Sequence, residues 1–109
     1  MLAKQQRLTR AEFKACFTNG VRRHSSSLTV VYCAQPATKV AVVVGKKVYT
    51  RAHERNRLRR SLYGEFRSLL PTMRPGVYIV MAKPAARSMP KYLLRKALGH
   101  MIGEVNKIR

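Results

Sequence analysis

The segment from Thr50 to Leu70 limits the possible folds of this chain more than any other, because it combines helical periodicity with a dense run of cations. Its apolar residues recur at the spacing of one helix face, which predicts an amphipathic helix with a single buried seam. That seam consists of Leu58, Leu62, Phe66 and Leu69. The remaining surface is almost wholly cationic and repels itself unless a polyanion neutralises it. We therefore expect a helix that packs on a sheet by one side and offers the other to phosphate groups.

Charge and composition narrow the class of protein. The chain has 109 residues, of which 46% are hydrophobic, and 23 Lys and Arg stand against 4 acidic residues, a net charge of +19. This composition predicts one domain over residues 1–109 with a real core, and not a disordered basic tail, and its charge attracts nucleic acid or an anionic membrane surface. No apolar run approaches the roughly 20 residues that span a bilayer. The first residues lack the apolar stretch of a secretory signal. We expect a cytoplasmic protein that binds no membrane and no small-molecule substrate.

The acidic residues bear on catalysis. The sequence has no Asp, and its four Glu are widely separated. A metal held by the protein for phosphoryl transfer needs clustered carboxylates. The three His are scattered, and Cys16 and Cys33 lack metal-ligand spacing. We therefore predict no catalytic residue and no metal-binding residue in this chain, and we interpret both cysteines as small buried hydrophobes.

The other segments predict an α+β fold. Thr9 and Glu12 have the spacing of a capping box, which predicts a short helix that ends at Asn19-Gly20 with a left-handed cap. Leu28–Cys33 and Val40–Val44 are rich in β-branched residues and predict an antiparallel hairpin. The apolar run Val77–Ala82 predicts a central strand buried on both faces. A final helix follows, so the order indicates helices packed on one side of a sheet.

Two groups of side chains are candidates for contact with nucleic acid. The first surrounds the cationic helix, where i+4 partners for ion pairs are mostly absent, so that an ordinary solvated face is a poor explanation. Its members are Lys46, Lys47, Arg51, His53, Arg55, Asn56, Arg57, Arg59, Arg60 and Arg67. The second consists of Phe13 and Phe17, which are either core residues or, with Tyr32, the lining of a groove that stacks single-stranded bases.

Several of these motifs together resemble the protein component of bacterial ribonuclease P, over nearly the whole chain. The signature is Arg55-Asn56-Arg57-Leu58-Arg59-Arg60, preceded by Lys46-Lys47 and by Arg51-Ala52-His53-Glu54. The spacing from the lysine pair to Arg55 is similar to that of the proteobacterial members. The opening Arg7-Leu8-Thr9-Arg10-Ala11-Glu12-Phe13-Lys14 and the strand Val77-Tyr78-Ile79-Val80-Met81-Ala82-Lys83 match the family's first helix and last strand.

The resemblance implies a fold and a function. The fold is an α-β-β-β-α-β-α sandwich with a left-handed βαβ crossover and a short strand around Val21 to His24, as in a ribosomal protein domain. The function is to assist removal of the 5′ leader from precursor tRNA by a catalytic RNA subunit that holds Mg²⁺. The arginine helix and its lysines would contact this RNA. A cleft between the first helix and the sheet would hold the leader, with Phe13, Lys14, Phe17 and Tyr32 as its candidates.

Two alternatives stay open at this point. A ribosomal-type RNA-binding structural protein would share the size and the charge. A nuclease that acts without RNA would need acid–base or metal-binding groups of its own.

Overall fold

The computed structural model describes residues 8–107, which contain three α-helices and a four-stranded sheet. Their order is the α-β-β-β-α-β-α order that the resemblance implies, including the short strand before the long one. The elements are α1 Arg10–Asn19, β1 Val21–His24, β2 Leu28–Ala34, β3 Lys39–Val43, α2 Ala52–Leu69, β4 Gly76–Ala82 and α3 Lys91–Asn106. Short 3-10 turns at Leu70–Thr72 and Pro84–Ser88 follow α2 and β4.

The sheet has the strand order β1-β2-β4-β3, so the predicted hairpin between β2 and β3 is wrong. The apolar strand β4 lies between them, antiparallel to β2 and parallel to β3. A strand that is buried on both faces is most stable with a neighbouring strand on each side, and β4 pairs with β2 on one side and with β3 on the other. The parallel β3–α2–β4 connection is a crossover, and it leaves β3 at the edge of the sheet.

Helices cover both faces of the sheet, which corrects the expectation that they lie on one side. On one face, Leu28 and Val30 of β2 and Val80 of β4 belong to the main core with the buried seams of α2 and α3. On the other face, Val31 of β2 belongs to a smaller cluster with Cys16 of α1. The alternation along β2 thus gives each helical layer its own apolar surface.

The α2 seam is buried as predicted. Leu58, Leu62 and Phe66 are at most 3% exposed, and Leu69 is half-buried against the same core. Burying each such side chain stabilises the fold by about 1.5–3 kcal/mol. This seam fixes the rotation of α2 about its axis, and the opposite side of the helix must then face solvent.

The start of α1 is held by the predicted capping box and by an ion pair. Thr9 N donates to Glu12 Oε1 over 2.9 Å, and Glu12 N donates to Thr9 Oγ1 over 3.2 Å. Lys39 Nζ, at the start of β3, lies 2.6 Å from Glu12 Oε2. The hydrogen bond from Lys39 and the backbone donor of Thr9 lower the pKa of Glu12 to about 2. Glu12 therefore links the first turn of α1 to the edge strand.

The end of α1 differs from the prediction. Gly20 has φ −73°, so no left-handed cap forms there. The glycine is needed for close packing instead, because a Cβ at this position would lie 2.6 Å from the Cys16 carbonyl oxygen and 2.7 Å from Val31 Cγ1. Its hydrogen atom allows α1 to approach β2 at the point where the chain turns into β1.

Candidate nucleic-acid interface

The loop that joins β3 to α2, residues 44–51, presents several of the predicted cations and is called the crossover loop below. Val48 is 1% exposed and anchors the loop in the main core, and its N–H donates to the Gly45 carbonyl oxygen over 3.1 Å. Lys46 and Lys47 precede this anchor and are exposed. Arg51, the N-cap residue of α2, and His53 in its first turn are exposed as well. The loop thus has a buried anchor and an exposed cationic rim.

Arg55 acts on the shape of this loop. Its Nη1 donates to the carbonyl oxygens of Tyr49 over 3.0 Å and of Thr50 over 2.7 Å, and the residue is half-buried. Two hydrogen bonds from one guanidinium to consecutive carbonyls hold the end of the crossover loop against α2. Part of the role of Arg55 is therefore structural.

Arg57 presents the opposite case. It is exposed, and its guanidinium has no hydrogen bond or ion pair within residues 8–107. In that part of the chain the two ion pairs are Lys39 with Glu12 and His100 with Glu104, and neither involves Arg57. Its charge is consequently available to an external anion.

The outer side of α2 forms an open depression of about 570 Å³, called the α2 concavity below. Its lining residues are Asn56, Arg59, Arg60, Tyr63, Gly64 and Arg67. Asn56 orders two of the arginines, because its side-chain oxygen accepts from Arg59 Nη2 and its carbonyl oxygen accepts from Arg60 Nε over 3.5 Å. The predicted residues Asn56, Arg59, Arg60 and Arg67 are thus brought together around one site.

Sequence reasoning missed three members of this site. Tyr63 and Gly64 lie on the predicted helix α2 and Arg95 lies on the final helix, and none of the three is among the contacts predicted from the sequence. Arg95 Nη2 lies 3.7 Å from the position of a Cβ built on Gly64, so α3 adds a cation beside the concavity. The i+4 spacing of Arg60 and Gly64 indicates that the glycine lies on the same side of α2 as that arginine. The nearness of Arg95 depends on how α3 packs against α2 and could not be read from the sequence.

A second candidate surface, called the α1 groove below, lies on the other face of the sheet. Phe13 and Phe17 are half-buried, with ring centroids 5.9 Å apart, and they pack against the cluster that contains Cys16. Each ring is therefore partly core and partly exposed, and its contact with single-stranded bases stays a prediction. Lys14, between them on α1, is exposed.

Arg22 of β1 covers Phe17 and joins the α1 groove. Its guanidinium carbon lies 4.4 Å from the centroid of the Phe17 ring, and its Nη2 donates to the Phe17 carbonyl oxygen. A guanidinium stacked on an aromatic ring gains cation–π energy and offers its second face to a further planar group. The sequence placed Arg22 only in a loop or short strand.

Tyr32 does not lie in the α1 groove, which corrects its assignment to that site. It is 6% exposed on the opposite face of the sheet, with its ring centroid 4.8 Å from that of Tyr78. Its hydroxyl donates to the Pro75 carbonyl oxygen over 2.9 Å. Alternation along β2 places Tyr32 with Leu28 and Val30, away from α1. Tyr32 is a core residue.

The α1 groove and the α2 concavity meet at Tyr63. A depression of about 380 Å³ lies between the start of α1, the outer edge of β3 and this side chain. Its lining residues are Leu8, Thr9, Arg10, Phe13, Val40, Ala41 and Tyr63. The Tyr63 hydroxyl accepts from Val42 N over 3.1 Å, which satisfies one outward N–H of the edge strand. A continuous surface therefore runs from Phe13 around β3 to the arginines of α2.

The described residues carry no group of three or more His, Cys, Asp or Glu that is arranged to hold a metal ion. Over the same range, none of the helices combines the length and the apolar character that crossing a membrane requires.

Comparison with known proteins identifies relatives. A family model described as ribonuclease P matches residues 2–106. The ribonuclease P protein component of a Synechococcus strain is 36% identical over 92 residues, which cover 78% of this chain and 69% of that protein. The corresponding protein of Xanthomonas oryzae is 35% identical over 91 residues, covering 82% and 62%. The RNase P protein of Staphylococcus aureus superimposes with a TM-score of 0.86 at 21% identity, over 94% of this chain and 96% of that one.

These matches select among the alternatives. The structural superposition supports the fold, and the family model, which spans nearly the whole chain, decides against a ribosomal-type structural protein. Relatives occur both in a cyanobacterium and in Xanthomonas, so the match indicates the bacterial family as a whole. The chain belongs to the family of bacterial ribonuclease P protein components, the protein subunits of the endoribonuclease that removes the 5′ leader from precursor tRNA.

Proposed function

We propose that this chain is a non-catalytic RNA-binding subunit with two contact surfaces. The crossover loop and the outer side of α2 bind the catalytic RNA subunit, and the α1 groove binds the single-stranded leader of precursor tRNA. The observation that carries the proposal is the cationic outer side of α2, on which Arg57, Arg59 and Arg60 have no carboxylate partner within residues 8–107. Such a surface is stabilised when a phosphate backbone covers it.

The contact with the RNA subunit draws on ten residues of differing roles. Arg57, Arg59 and Arg60 supply planar forks that suit phosphate oxygens, while Asn56 orders the last two. Arg55 holds the crossover loop in position and thereby sets the spacing of the lysines on it. The remaining contacts are Lys46, Lys47, Arg51, His53 and Arg67.

The donor set of the chain supports a catalytic centre on the RNA. Glu12 is engaged by Lys39 and Thr9, and Glu104 lies 2.7 Å from His100. Glu54 and Glu65 are eleven residues apart on α2, or about 16 Å along the axis at 1.5 Å per residue. These carboxylates do not fit a Mg²⁺ site. We infer that the Mg²⁺ of the reaction is held by the RNA subunit, and we assign no catalytic residue to this chain.

The leader contact rests on Phe13, Lys14 and Phe17, with Arg22 added. The exposed parts of the two rings and the outer face of the Arg22 guanidinium are planar surfaces on which unstacked bases can lie. Lys14, one residue along α1 from Phe13, supplies a charge for the leader phosphates. A mature tRNA lacks the leader, so this surface favours the precursor over the product.

Two finer assignments belong to the same proposal. The spacing between Lys46-Lys47 and Arg55 favours kinship with the proteobacterial members. The whole chain, residues 1–109, acts as a single RNA-binding domain in the cytoplasm, with RNA as its partner and neither a membrane nor a small molecule.

The leader contact is tested by measuring the affinity of the reconstituted holoenzyme for precursor tRNA and for mature tRNA. Phe17→Leu keeps most of the apolar packing but removes the aromatic face. We expect it to weaken precursor binding about fivefold or more, since stacking contributes about 1–3 kcal/mol per base. Lys14→Gln should act in the same direction. Lys96→Gln, on the exposed side of α3, is the matched control. Unchanged preference for the precursor in folded Phe17→Leu and Lys14→Gln would refute the leader assignment.

A further inference from the structure

We propose that the α2 concavity binds one unpaired nucleotide of the RNA subunit, with its base stacked on the ring of Tyr63 and its phosphate held by the surrounding arginines. The proposal rests on the proposed function, because it assigns a particular ligand to the surface that meets the RNA subunit.

Tyr63 is a fixed aromatic ring within a cationic surface. Its hydroxyl accepts from Val42 N over 3.1 Å, and its ring is half-buried against the main core. The remainder of the side chain lines the concavity. The hydrogen bond of the hydroxyl and the contact with the core thus set the ring orientation before any ligand arrives, which lowers the entropy lost on binding. A ring held in this way is suited to stacking against a planar group.

Gly64 has no structural reason to be glycine. In a helix interior, glycine is about 0.5–1 kcal/mol less stable than alanine. Among the described residues only Gly76 has a positive φ, so the backbone at Gly64 does not demand glycine. A Cβ at Gly64 would meet only Arg95 Nη2, at an ordinary contact distance of 3.7 Å. Because Gly64 has no side chain, the α2 concavity stays open beside Tyr63.

The charges around the ring specify an RNA phosphate. Arg59 and Arg60 are ordered by Asn56, and Arg67 and Arg95 lie on the other side of Gly64 along α2 and α3. A guanidinium binds phosphate oxygens through two parallel N–H groups. The site therefore pairs an apolar planar surface with anion ligands on both sides, which is the combination that a nucleotide requires.

The geometry selects an unpaired nucleotide over a duplex. A volume of about 570 Å³ lies within the range of about 300–1,000 Å³ of small-ligand sites. In an RNA duplex the faces of the bases are stacked on one another and only their edges are accessible. The face of a base reaches Tyr63 only if the nucleotide is bulged or lies in a loop.

The test measures the affinity of four variants for the RNA-subunit transcript as a function of KCl concentration. Tyr63→Phe keeps the ring and should bind within about twofold of the native chain. Tyr63→Leu removes the stacking surface and should weaken binding about 5- to 100-fold, with an unchanged salt slope because no charge is lost. Gly64→Gln fills the concavity and should weaken binding. Its matched control is Gly103→Gln in α3, where a Cβ meets no atom within 4 Å, and which should bind like the native chain.

Chemical probing of the RNA identifies the ligand. We expect at least one unpaired nucleotide whose base reactivity is suppressed by the native chain and by Tyr63→Phe but not by Tyr63→Leu. Native affinity and native protection with both Tyr63→Leu and Gly64→Gln would overturn the proposal. Arg60→Gln separates this result from failure of the proposed function. If Arg60→Gln weakens binding and lowers the salt slope while Tyr63→Leu and Gly64→Gln have no effect, only the nucleotide site is refuted. If Arg60→Gln also binds with native affinity and native salt slope, both the nucleotide site and the proposed contact of α2 with the RNA subunit are refuted.

Discussion

The two arginines Arg55 and Arg57 occur in the same signature, yet the structure predicts that their removal has different consequences. Arg55 donates to the carbonyl oxygens of Tyr49 and Thr50, whereas Arg57 is exposed and has no partner within residues 8–107. We consider the substitutions Arg57→Gln and Arg55→Gln, which remove one charge each and keep a polar side chain.

The expected size of each effect follows from these contacts. Each phosphate contact contributes about 0.7–0.9 to the slope of log affinity against log salt concentration. Between 50 and 200 mM salt the native chain should therefore lose about threefold more affinity than Arg57→Gln. The free energy of unfolding of Arg57→Gln should stay within about 0.5 kcal/mol of the native value, because no internal contact is lost. Arg55→Gln should cost about 1–2 kcal/mol, since hydrogen bonds from a charged donor contribute about 1.5–3 kcal/mol when buried and less where water competes.

The assay is filter binding of the RNA-subunit transcript at several KCl concentrations and fixed Mg²⁺, together with urea unfolding of each variant. We expect Arg55→Gln to lower the salt slope by more than the value of one phosphate contact. The reason is that the crossover loop, which carries Lys46 and Lys47, loses the two hydrogen bonds from Arg55 that hold it in place. An unchanged slope for Arg57→Gln would refute the assignment of that residue to a phosphate. Equal stability of the two variants would refute the clamp role of Arg55.

Three further predictions concern the scaffold. Glu12→Gln should destabilise the fold at pH 7. Its difference from the native chain in urea unfolding should shrink as the pH falls below 4.5 and be mostly lost at pH 2, because the lowered pKa of Glu12 gives stability that is lost as the carboxyl protonates; a difference as large at pH 2 as at pH 7 would contradict this. Burial raises the pKa of Cys16 to about 11, so iodoacetamide at pH 8 should modify the half-buried Cys33 first in the folded chain. Peptide mass spectrometry reads the order of labelling, and faster labelling of Cys16 would contradict its burial. Gly20→Ala should lower the free energy of unfolding by about 1–3 kcal/mol, because its Cβ would lie 2.6 Å from the carbonyl oxygen of Cys16 in α1. A variant with native stability would show that α1 does not pack this closely against β2.

Features that depend on local periodicity were predictable from the sequence. The α2 seam of Leu58, Leu62 and Phe66 is buried, and the capping box of Thr9 and Glu12 forms, because both depend on residues within a few positions of each other. The cationic outer side of α2 follows from the same periodicity. These features were sufficient to place most of the candidate RNA contacts on one surface.

Features that depend on which distant elements pack together were not predictable. The two β-branched segments Leu28–Cys33 and Val40–Val44 suggested a hairpin, but β4, more than thirty residues later, pairs with both β2 and β3. Tyr32 was assigned to the groove as an aromatic residue of the sheet and by the resemblance, although its alternation with Leu28 already placed it on the face opposite Val31. Whether α1 covers the Val31 face or the Leu28 face is decided by packing across the sheet. The approach of Arg95 to Gly64 has the same origin.

The most direct measurement is precursor-tRNA cleavage at low and near-physiological Mg²⁺ by three preparations: this chain alone, the RNA subunit alone and the reconstituted pair. If the chain supplies cations and leader contacts while the RNA supplies the chemistry, the chain alone should be inactive at every Mg²⁺ concentration. The pair should then cleave at low Mg²⁺, where the RNA alone is slow. Cleavage at the leader junction by the RNA-free chain, or a Mg²⁺ requirement of the RNA that the chain does not lower, would contradict this account.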